Sequence, residues 1–229
     1  MDFTTENKLK LLKLLINRKD VFAEQQDNGS YFPIKRKITK LDLIQHIKGL
    51  KTIASYCLDT DNKISWACVD IDGTPDTLKK NLTISRIIYD GFKEFPRILE
   101  FSGRKGYHIW IFFKPKITAS YGKKLIKTRL KLLDLDDFEV FPKQTTLNPN
   151  RLYGNSVKLP FAFHKVSKQY SKIIKRDLKN YTKDNIVVET TNRKVFKPQT
   201  LSLGWVVGKG KSDNHNNKKD KWNILYYTI

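Results

Sequence analysis

The chain has 229 residues, of which 39% are hydrophobic, and its 44 Lys and Arg exceed its 23 Asp and Glu to give a formal charge of +21. This length and hydrophobic content predict a globular protein with a sizeable core. The positive charge is spread along the sequence, so a polyanionic partner is the first hypothesis. We find no long apolar segment or signal peptide, which favours nucleic acid over a membrane. A lysine-rich proteome would raise the same count, so charge alone does not decide the question.

The first sixty residues predict a small α/β unit. Hydrophobic spacing, turn residues and a capping-box pattern at Thr39 and Asp42 define its elements. They are a helix at 8–17, a turn region at 18–25, extended chain at 30–39, a helix that follows Thr39 and stops at Gly49, and a strand at 52–58.

The elements after residue 60 follow the order β-α-β-β-α-β, the RRM-like or ferredoxin-like plan of an α+β fold. They are strands at 64–72, 97–101, 107–113 and 138–142, a helix from Thr74 to Gly91, a helix at 118–133, and a further strand at 156–161. We therefore predict three segments: the N-terminal unit at 1–60, a core at 61–165 and a basic extension at 166–229. The extension contains strand candidates at 186–190 and 201–207 and a polar stretch at 212–221.

The two cysteines, Cys57 and Cys68, lie in predicted strands without a CxxC pair or a histidine at zinc-site spacing. We expect no zinc. Cys68 lies in an apolar run and is expected to be buried. The lack of a disulfide framework predicts a reducing, intracellular environment.

The stretch ISWACVDIDG at 64–73 places two aspartates at the end of an apolar strand. In the predicted plan this strand lies between the third and fourth strands, antiparallel to both, so its end adjoins their starts. Because alternate residues of a strand face opposite sides, Asp70 and Asp72 should share the helix-free face with His108 and Glu139. An isolated DxD is more often a solvated strand end or an anchor for Lys and Arg. Clustered carboxylates, however, stay ionised when a cation compensates them, and their oxygens suit Mg²⁺ or Mn²⁺.

The SGRKG loop, residues 102–106, joins the second and third strands of this plan. Its glycines permit a tight turn, while Ser102, Arg104 and Lys105 can donate to phosphate oxygens. Alone, it would be an ordinary hairpin loop with exposed cations. Beside a carboxylate metal site it predicts a triphosphate pocket, and we expect His108 to contact phosphate there.

The motifs DID at 70–72 and SGRKGYH at 102–108 resemble the first two motifs of the archaeo-eukaryotic primase superfamily, a metal-binding DxD and an SxH-type nucleotide-binding motif. The resemblance is strongest to primase-polymerases of mobile-element, conflict-system and CRISPR-associated loci, and it covers roughly residues 15–165. The further stretches that carry it are 17–23, 46–49, 139–144 and 154–164.

This resemblance implies a DNA-directed primase-polymerase that joins nucleotides with release of pyrophosphate, using two Mg²⁺ or Mn²⁺ ions. It implies that the partners are a DNA template or primer and nucleoside triphosphates. It also implies a chain that is monomeric or fused to further domains. It assigns catalysis and metal binding to Asp70, Asp72 and Glu139, and nucleotide binding to Ser102, Arg104, Lys105, His108 and Lys158. Further candidates, which packing or surface roles would also explain, are Arg18, His164 and Tyr56.

Other residues could be the third metal ligand, and other classes of protein could share this pattern. Many superfamily members have an aspartate in the third motif, and here Asp136 and Asp137 compete with Glu139. An RNA-recognition-like module would use Trp110 and Phe112 to stack bases, although we expect these rings to pack beneath the N-terminal unit. A metal-dependent nuclease would use the carboxylates but leaves the SGRKG loop unexplained.

Overall fold

In a computed structural model that describes residues 4–149 and 152–174, helices and strands alternate along the chain. The predicted strands at 186–190 and 201–207 and the polar stretch at 212–221 lie outside these residues. The helices are α1 Thr5–Leu14, α2 Lys40–Ile47, α3 Leu78–Gly91 and α4 Ala119–Leu132. The strands are β1 Phe22–Gln25, β2 Tyr31–Ile34, β3 Ile53–Tyr56, β4 Lys63–Ile71, β5 Arg97–Phe101, β6 Tyr107–Thr118, β7 Glu139–Phe141, β8 Ser156–Lys158, β9 Phe163–His164, β10 Gln169–Tyr170 and β11 Lys172–Ile173.

A five-stranded antiparallel sheet of order β11-β5-β6-β4-β7 contains the predicted β-α-β-β-α-β core. As predicted, β4 lies between β6 and β7 and is antiparallel to both. Helices α3 and α4 pack against one face of this sheet, where Val69 and Ile71 are buried. The predicted α+β fold is therefore confirmed, and the opposite face of β4 carries the buried Trp66 and Cys68 followed by Asp70 at the end of the strand.

A four-stranded sheet of order β2-β1-β3-β8 contains the strands of the N-terminal unit. The prediction of a turn region at 18–25 was wrong in part, because Phe22–Gln25 form β1. Ala23 pairs with Ala54 of β3, and this long-range pairing overrides the weak local pattern. On the other side of β3, Lys158 of β8 pairs with Ala54, so the sheet includes a strand from beyond residue 150.

The predicted capping box opens α2. The Thr39 hydroxyl accepts the Asp42 N–H at 3.2 Å, and the Asp42 carboxylate accepts the Thr39 N–H at 2.9 Å. Gly49, with φ +78°, follows the helix in the left-handed conformation that glycine adopts without strain. Both predicted boundaries of this helix are confirmed.

One hydrophobic core extends from α1 to the five-stranded sheet. Trp66 donates its indole N–H to the Leu15 carbonyl at 2.8 Å and meets Trp110 edge to face, with ring centroids 4.9 Å apart. Trp110 is fully buried and Phe112 is 6% exposed. These rings pack beneath the N-terminal elements, as expected from the sequence. The segment boundaries at 60 and 165 stay predictions.

Candidate active site

Asp70 lies at the centre of a carboxylate edge formed by Asp70, Asp72 and Glu139. In the strand register, Asp70 is opposite His108 of β6 on one side and opposite Glu139 of β7 on the other. The predicted neighbours of Asp70 are confirmed. Glu139 rather than Asp136 or Asp137 occupies the paired position, because those two aspartates precede the first residue of β7.

The Asp70 carboxylate is largely buried, and its Oδ1 has no hydrogen-bond partner among the described residues. The nearest cationic atom recorded there is His108 Nε2, at 3.7 Å. Burial raises the pKa of Asp70, and the negative charges of Asp72 and Glu139 raise it further. A buried carboxylate oxygen without a donor, close to two other acids, is the chemistry that a divalent cation satisfies.

The other two acids of the carboxylate edge are paired with lysines. Asp72 Oδ2 lies 3.1 Å from Lys105 Nζ, and Glu139 Oε1 lies 2.5 Å from Lys143 Nζ. In this arrangement no three His, Cys, Asp or Glu side chains of residues 4–149 and 152–174 are grouped closely enough to hold a metal ion. All four side chains are well exposed, and such ion pairs contribute only about 0–1 kcal/mol. A competing cation could therefore displace either ammonium group from its carboxylate at little cost.

The SGRKG loop is closed internally and packed on the end of β4. The Ser102 N–H donates to the Gly106 carbonyl at 2.9 Å, and the Gly106 N–H donates to the Ser102 hydroxyl at 3.3 Å. A Cβ atom on Gly106 would lie 2.4 Å from the Ile71 carbonyl and 2.7 Å from Asp72 Oδ1. Gly106 is thus required for the close approach of the loop to the carboxylate edge.

We expect Gly106→Ala to separate the loop from Asp72, because the methyl group would meet fixed backbone rather than a flexible side chain. The free energy of unfolding should fall by about 1–3 kcal/mol, as in other overpacked sites. Gly91→Ala, at the end of α3, is the matched control, since the nearest atoms to its methyl group belong to the Leu133 side chain, which follows α4. Urea denaturation of both variants measures the difference, and equal stabilities would contradict the proposed packing.

The hairpin formed by β9 and β10 covers the SGRKG loop. A Cβ atom on Gly103, which has φ +86°, would lie 3.0 Å from the Ser171 nitrogen and 3.1 Å from the Gln169 carbonyl. The Ser167 hydroxyl donates to the Gly103 carbonyl at 2.6 Å. The loop is therefore held between the carboxylate edge and this hairpin, a contact that the sequence did not reveal.

The hairpin brings His164 to the phosphate-binding candidates. Its Nδ1 accepts the Ser167 N–H at 3.2 Å, which leaves Nε2 as the protonated nitrogen of the neutral ring. Burial lowers the pKa of His164, and the positive charges of Lys158 and Arg104 lower it further. His164, named from the sequence as a further candidate, thus lies in the same positive region as Lys158 and Arg104.

Glu100 is a site residue that the sequence reasoning missed. It is fully buried on β5, opposite His108 in the register. Its Oε2 lies 3.1 Å from His108 Nδ1 and accepts the Trp110 indole N–H at 2.8 Å. The available signal was its charge within the apolar strand RILEF, combined with strand parity. Burial raises the pKa of Glu100, but Lys158 and His108 outweigh that effect and hold the pKa at about 2.

Lys158 reaches this network from the four-stranded sheet. Its Nζ lies 3.6 Å from Glu100 Oε1, and it has no hydrogen-bond partner among the described residues although Lys158 is only 8% exposed. Burial lowers the pKa of Lys158, and the Glu100 charge opposes that effect. For His108, burial also lowers the pKa, but Glu100 and Asp70 together raise it above its usual value.

Arg18 and Tyr56 make packing contacts instead. Arg18 donates to both carboxylate oxygens of Asp20 at 2.9 Å and to the Leu152 carbonyl at 2.7 Å, and its guanidinium lies 5.0 Å from the Tyr153 ring centroid. Tyr56 is buried, with its ring 5.5 Å from that of Tyr153. These contacts account for both residues without a nucleotide, and their assignment to the site stays a prediction.

The two sheets, with the carboxylate edge and the loop beside it, form a mixed α+β domain that places acidic side chains next to a glycine-containing loop. The model of the TOTE conflict system, Archaeo-Eukaryotic Primase domain family matches residues 7–197. The chain belongs to this family, which confirms the superfamily suggested by its DxD and SxH motifs.

The solved structures that are similar to the chain include two polymerase domains. The AEP domain of the cyanophage S-2L primase-polymerase gives a TM-score of 0.48 at 13% identity, covering 81% of this chain and 97% of that domain. The polymerase domain of Mycobacterium tuberculosis ligase D, in complex with DNA, gives a TM-score of 0.45 at 10% identity, covering 84% of this chain and 88% of that domain. No curated protein matches the sequence. Within the described residues, no helix has the length and apolar character needed to cross a membrane.

Proposed function

We propose that this chain is a DNA-directed primase-polymerase that transfers (d)NTPs to a primer or to an initiating nucleotide on a DNA template. The observation that carries the proposal is the register at Asp70, which places Glu139 and His108 on either side of it. Gly106 packs the SGRKG loop directly against Asp72. A carboxylate cluster that touches a phosphate-binding loop suits transfer from a triphosphate.

In this proposal Asp70, Asp72 and Glu139 hold two Mg²⁺ or Mn²⁺ ions. Bound there, the ions would lower the pKa of the attacking 3′-hydroxyl and neutralise charge on the departing pyrophosphate. The protein's own part is to place the carboxylates at the end of β4 and to hold the triphosphate beside them. The residues proposed to hold the triphosphate are Ser102, Arg104, Lys105, His108 and Lys158, with His164 beside them.

Lys105 has two possible anionic partners in this arrangement. Its ammonium lies 3.1 Å from Asp72 Oδ2, and the residue also belongs to the SGRKG loop that is proposed to bind phosphate. An ion that binds Asp72 would compete with the Lys105 ammonium for the same carboxylate oxygens and so free that ammonium for a phosphate oxygen. The pairing is thus consistent with a role for Lys105 in nucleotide binding.

A single-strand-binding module is less consistent with the structure. Base stacking on an RRM-like sheet needs exposed aromatic rings, whereas Trp110 is fully buried and Phe112 is 6% exposed. Three carboxylates near the remaining open edge would also repel phosphates. A nuclease would use the acids but would not require the loop that Gly106 packs against them.

The test is primer extension on a DNA template with nucleotides and Mn²⁺ or Mg²⁺, run with and without a primer. We expect the parent to form product and pyrophosphate, and the Asp70→Ala, Asp72→Ala double mutant to form neither. Template binding by the double mutant should be retained or tighter, because removal of negative charge favours phosphate contact. A parent inactive under every condition, or an equally active double mutant, would overturn the proposal, and template cleavage without synthesis would indicate the nuclease.

A further inference from the structure

Glu100 connects donors from both sheets at one buried carboxylate. Its side chain has no exposed surface, although it lies next to residues proposed to bind an anion. Oε2 faces His108 Nδ1 at 3.1 Å and Trp110 Nε1 at 2.8 Å, and Oε1 faces Lys158 Nζ at 3.6 Å. His108 and Trp110 belong to β6, whereas Lys158 belongs to β8 of the other sheet.

A buried acid in a phosphate site requires an explanation. Removing a charge from water costs several kcal/mol, and a negative charge close to a triphosphate would repel it. Glu100 contacts the inner atom of the imidazole, Nδ1, and so leaves Nε2 on the side of Asp70. The acid therefore fixes the orientation of the ring without occupying the nitrogen that faces the carboxylate edge.

Lys158 supplies an independent indication of a ligand. Lys158 is 8% exposed, and its buried ammonium has no hydrogen-bond partner among residues 4–149 and 152–174, since the 3.6 Å distance to Glu100 is that of an ion pair only. A buried ammonium with unused N–H groups is costly unless an acceptor arrives. An anion that enters beside His108 would provide that acceptor.

We propose that Glu100 is a positioning residue that holds His108 and Lys158 in the orientation that binds the triphosphate of the incoming nucleotide. The identity of this ligand rests on the function proposed above, whereas the role of Glu100 in holding the two cationic donors rests on the contacts alone. Glu100 does not touch the substrate. Its effect passes through the two side chains that do.

Trp110 distinguishes positioning from simple structural support. Its indole shares Oε2 with His108, so Trp110→Phe removes one buried hydrogen bond to Glu100 while keeping an aromatic ring beside His108 and leaving both proposed triphosphate ligands in the sequence. If Glu100 served only to satisfy buried groups, Trp110→Phe and Glu100→Gln would have similar consequences. If Glu100 positions the donors, only Glu100→Gln should weaken nucleotide binding.

The experiment measures binding of tripolyphosphate and of a nucleoside triphosphate by calorimetry in EDTA, together with primer-extension kinetics in Mn²⁺. We expect Glu100→Gln to raise both Kd values and the KM for nucleotide about tenfold, the effect of losing a hydrogen bond to a charged group. The kcat should change far less, and Trp110→Phe should leave both Kd values near those of the parent. Adding Glu100→Gln to Lys158→Met should cause a smaller loss than Glu100→Gln causes in the parent, because the part of its effect that passes through Lys158 is already gone and only the part through His108 remains.

Several results would overturn the inference. They are unchanged Kd values in Glu100→Gln, an equal loss in Trp110→Phe, full additivity with Lys158→Met, or no measurable triphosphate binding by the parent. If Glu100→Gln does not fold, Glu100→Asp takes its place, because the shorter side chain keeps the charge but moves it away from Lys158. Glu100→Asp should then raise the Kd values for tripolyphosphate and for the nucleoside triphosphate. Triphosphate binding that depends on Glu100 in a chain that makes no product would contradict the proposed polymerase and leave the role of Glu100 intact.

Discussion

Asp70→Asn is expected to abolish nucleotide transfer while leaving the protein folded. The substitution keeps the shape of the side chain but removes the charge that, in the proposed function, binds both ions. Ions that act as Lewis acids supply several kcal/mol of stabilisation to the transition state. With tenfold in rate for each 1.36 kcal/mol, kcat should fall by about a thousandfold or more in primer extension with either metal.

The same substitution should not lower stability. The pKa of Asp70 is raised in the folded protein, so the folded state holds the Asp70 proton more tightly than the unfolded chain does. Ionised Asp70 therefore opposes folding at neutral pH, and this opposition is relieved as the pH falls. Because Asn is uncharged, the melting temperature of Asp70→Asn at pH 7 should equal or exceed that of the parent, and the difference should shrink in acid.

Asp59→Asn is the matched control for this prediction. Asp59 pairs with Lys116 at 2.7 Å, and burial raises its pKa less than the hydrogen bonds from Lys116 and Lys63 lower it. The control should lose a little stability and keep full activity, the opposite of the expected result for Asp70→Asn. Activity of Asp70→Asn within about tenfold of the parent would remove Asp70 from the metal site.

The neighbours of Asp70 could be predicted because they depend on strand order and on the two-residue period of a strand. Once β4 was placed between β6 and β7, parity fixed which residues share its helix-free face. His108 and Glu139 follow directly from that plan. Asp72 and the SGRKG loop follow from their positions at the ends of adjoining strands.

The rest of the site depends on contacts between distant segments, which local patterns do not encode. Lys158 enters the network because β8 pairs with β3, about a hundred residues earlier in the chain. The cover of the loop by the β9 and β10 hairpin involves single hydrogen bonds and the close approach at Gly103. Glu100 was missed because a lone acid in a strand carries no motif, although its register partner His108 was identified.

His46→Ala is expected to destabilise the fold more than any surface change. His46 has no exposed surface and accepts the Ile53 N–H at Nδ1, at 3.0 Å. The protonated Nε2 then donates to the Pro160 carbonyl at 2.9 Å. The ring thus joins α2 to β3 and to the chain that follows β8.

Loss of the ring would leave two buried backbone groups without partners, each at a cost of about 1–3 kcal/mol. With the added cavity, the free energy of unfolding of His46→Ala should fall by about 3–5 kcal/mol in urea denaturation. His46→Asn can still accept from Ile53 and His46→Gln can still donate to Pro160, so each should lose less than His46→Ala. Stability of His46→Ala within about 1 kcal/mol of the parent would contradict the bridging role.

The pH dependence of stability provides a second measurement of the same bridge. Burial lowers the pKa of His46 from 6.5 to about 4 and outweighs the hydrogen bond to Pro160, which favours the charged ring. The neutral ring accepts from Ile53 and donates to Pro160. With the folded pKa below the unfolded one, the contribution of His46 is complete above pH 6.5 and is lost as the pH falls through 4.

Across that interval the free energy of unfolding of the parent should fall by about 3 kcal/mol more than that of His46→Asn, given about 1.36 kcal/mol for each pKa unit. Glu100, Lys158 and the other titrating groups are common to both proteins, so the difference between their urea midpoints at pH 7 and pH 4 isolates His46. If the two proteins lost stability in parallel as the pH falls, the pKa of His46 would be unchanged by folding. Convergence of the profiles in acid would show that the neutral imidazole is what holds α2 to the strands behind the candidate site.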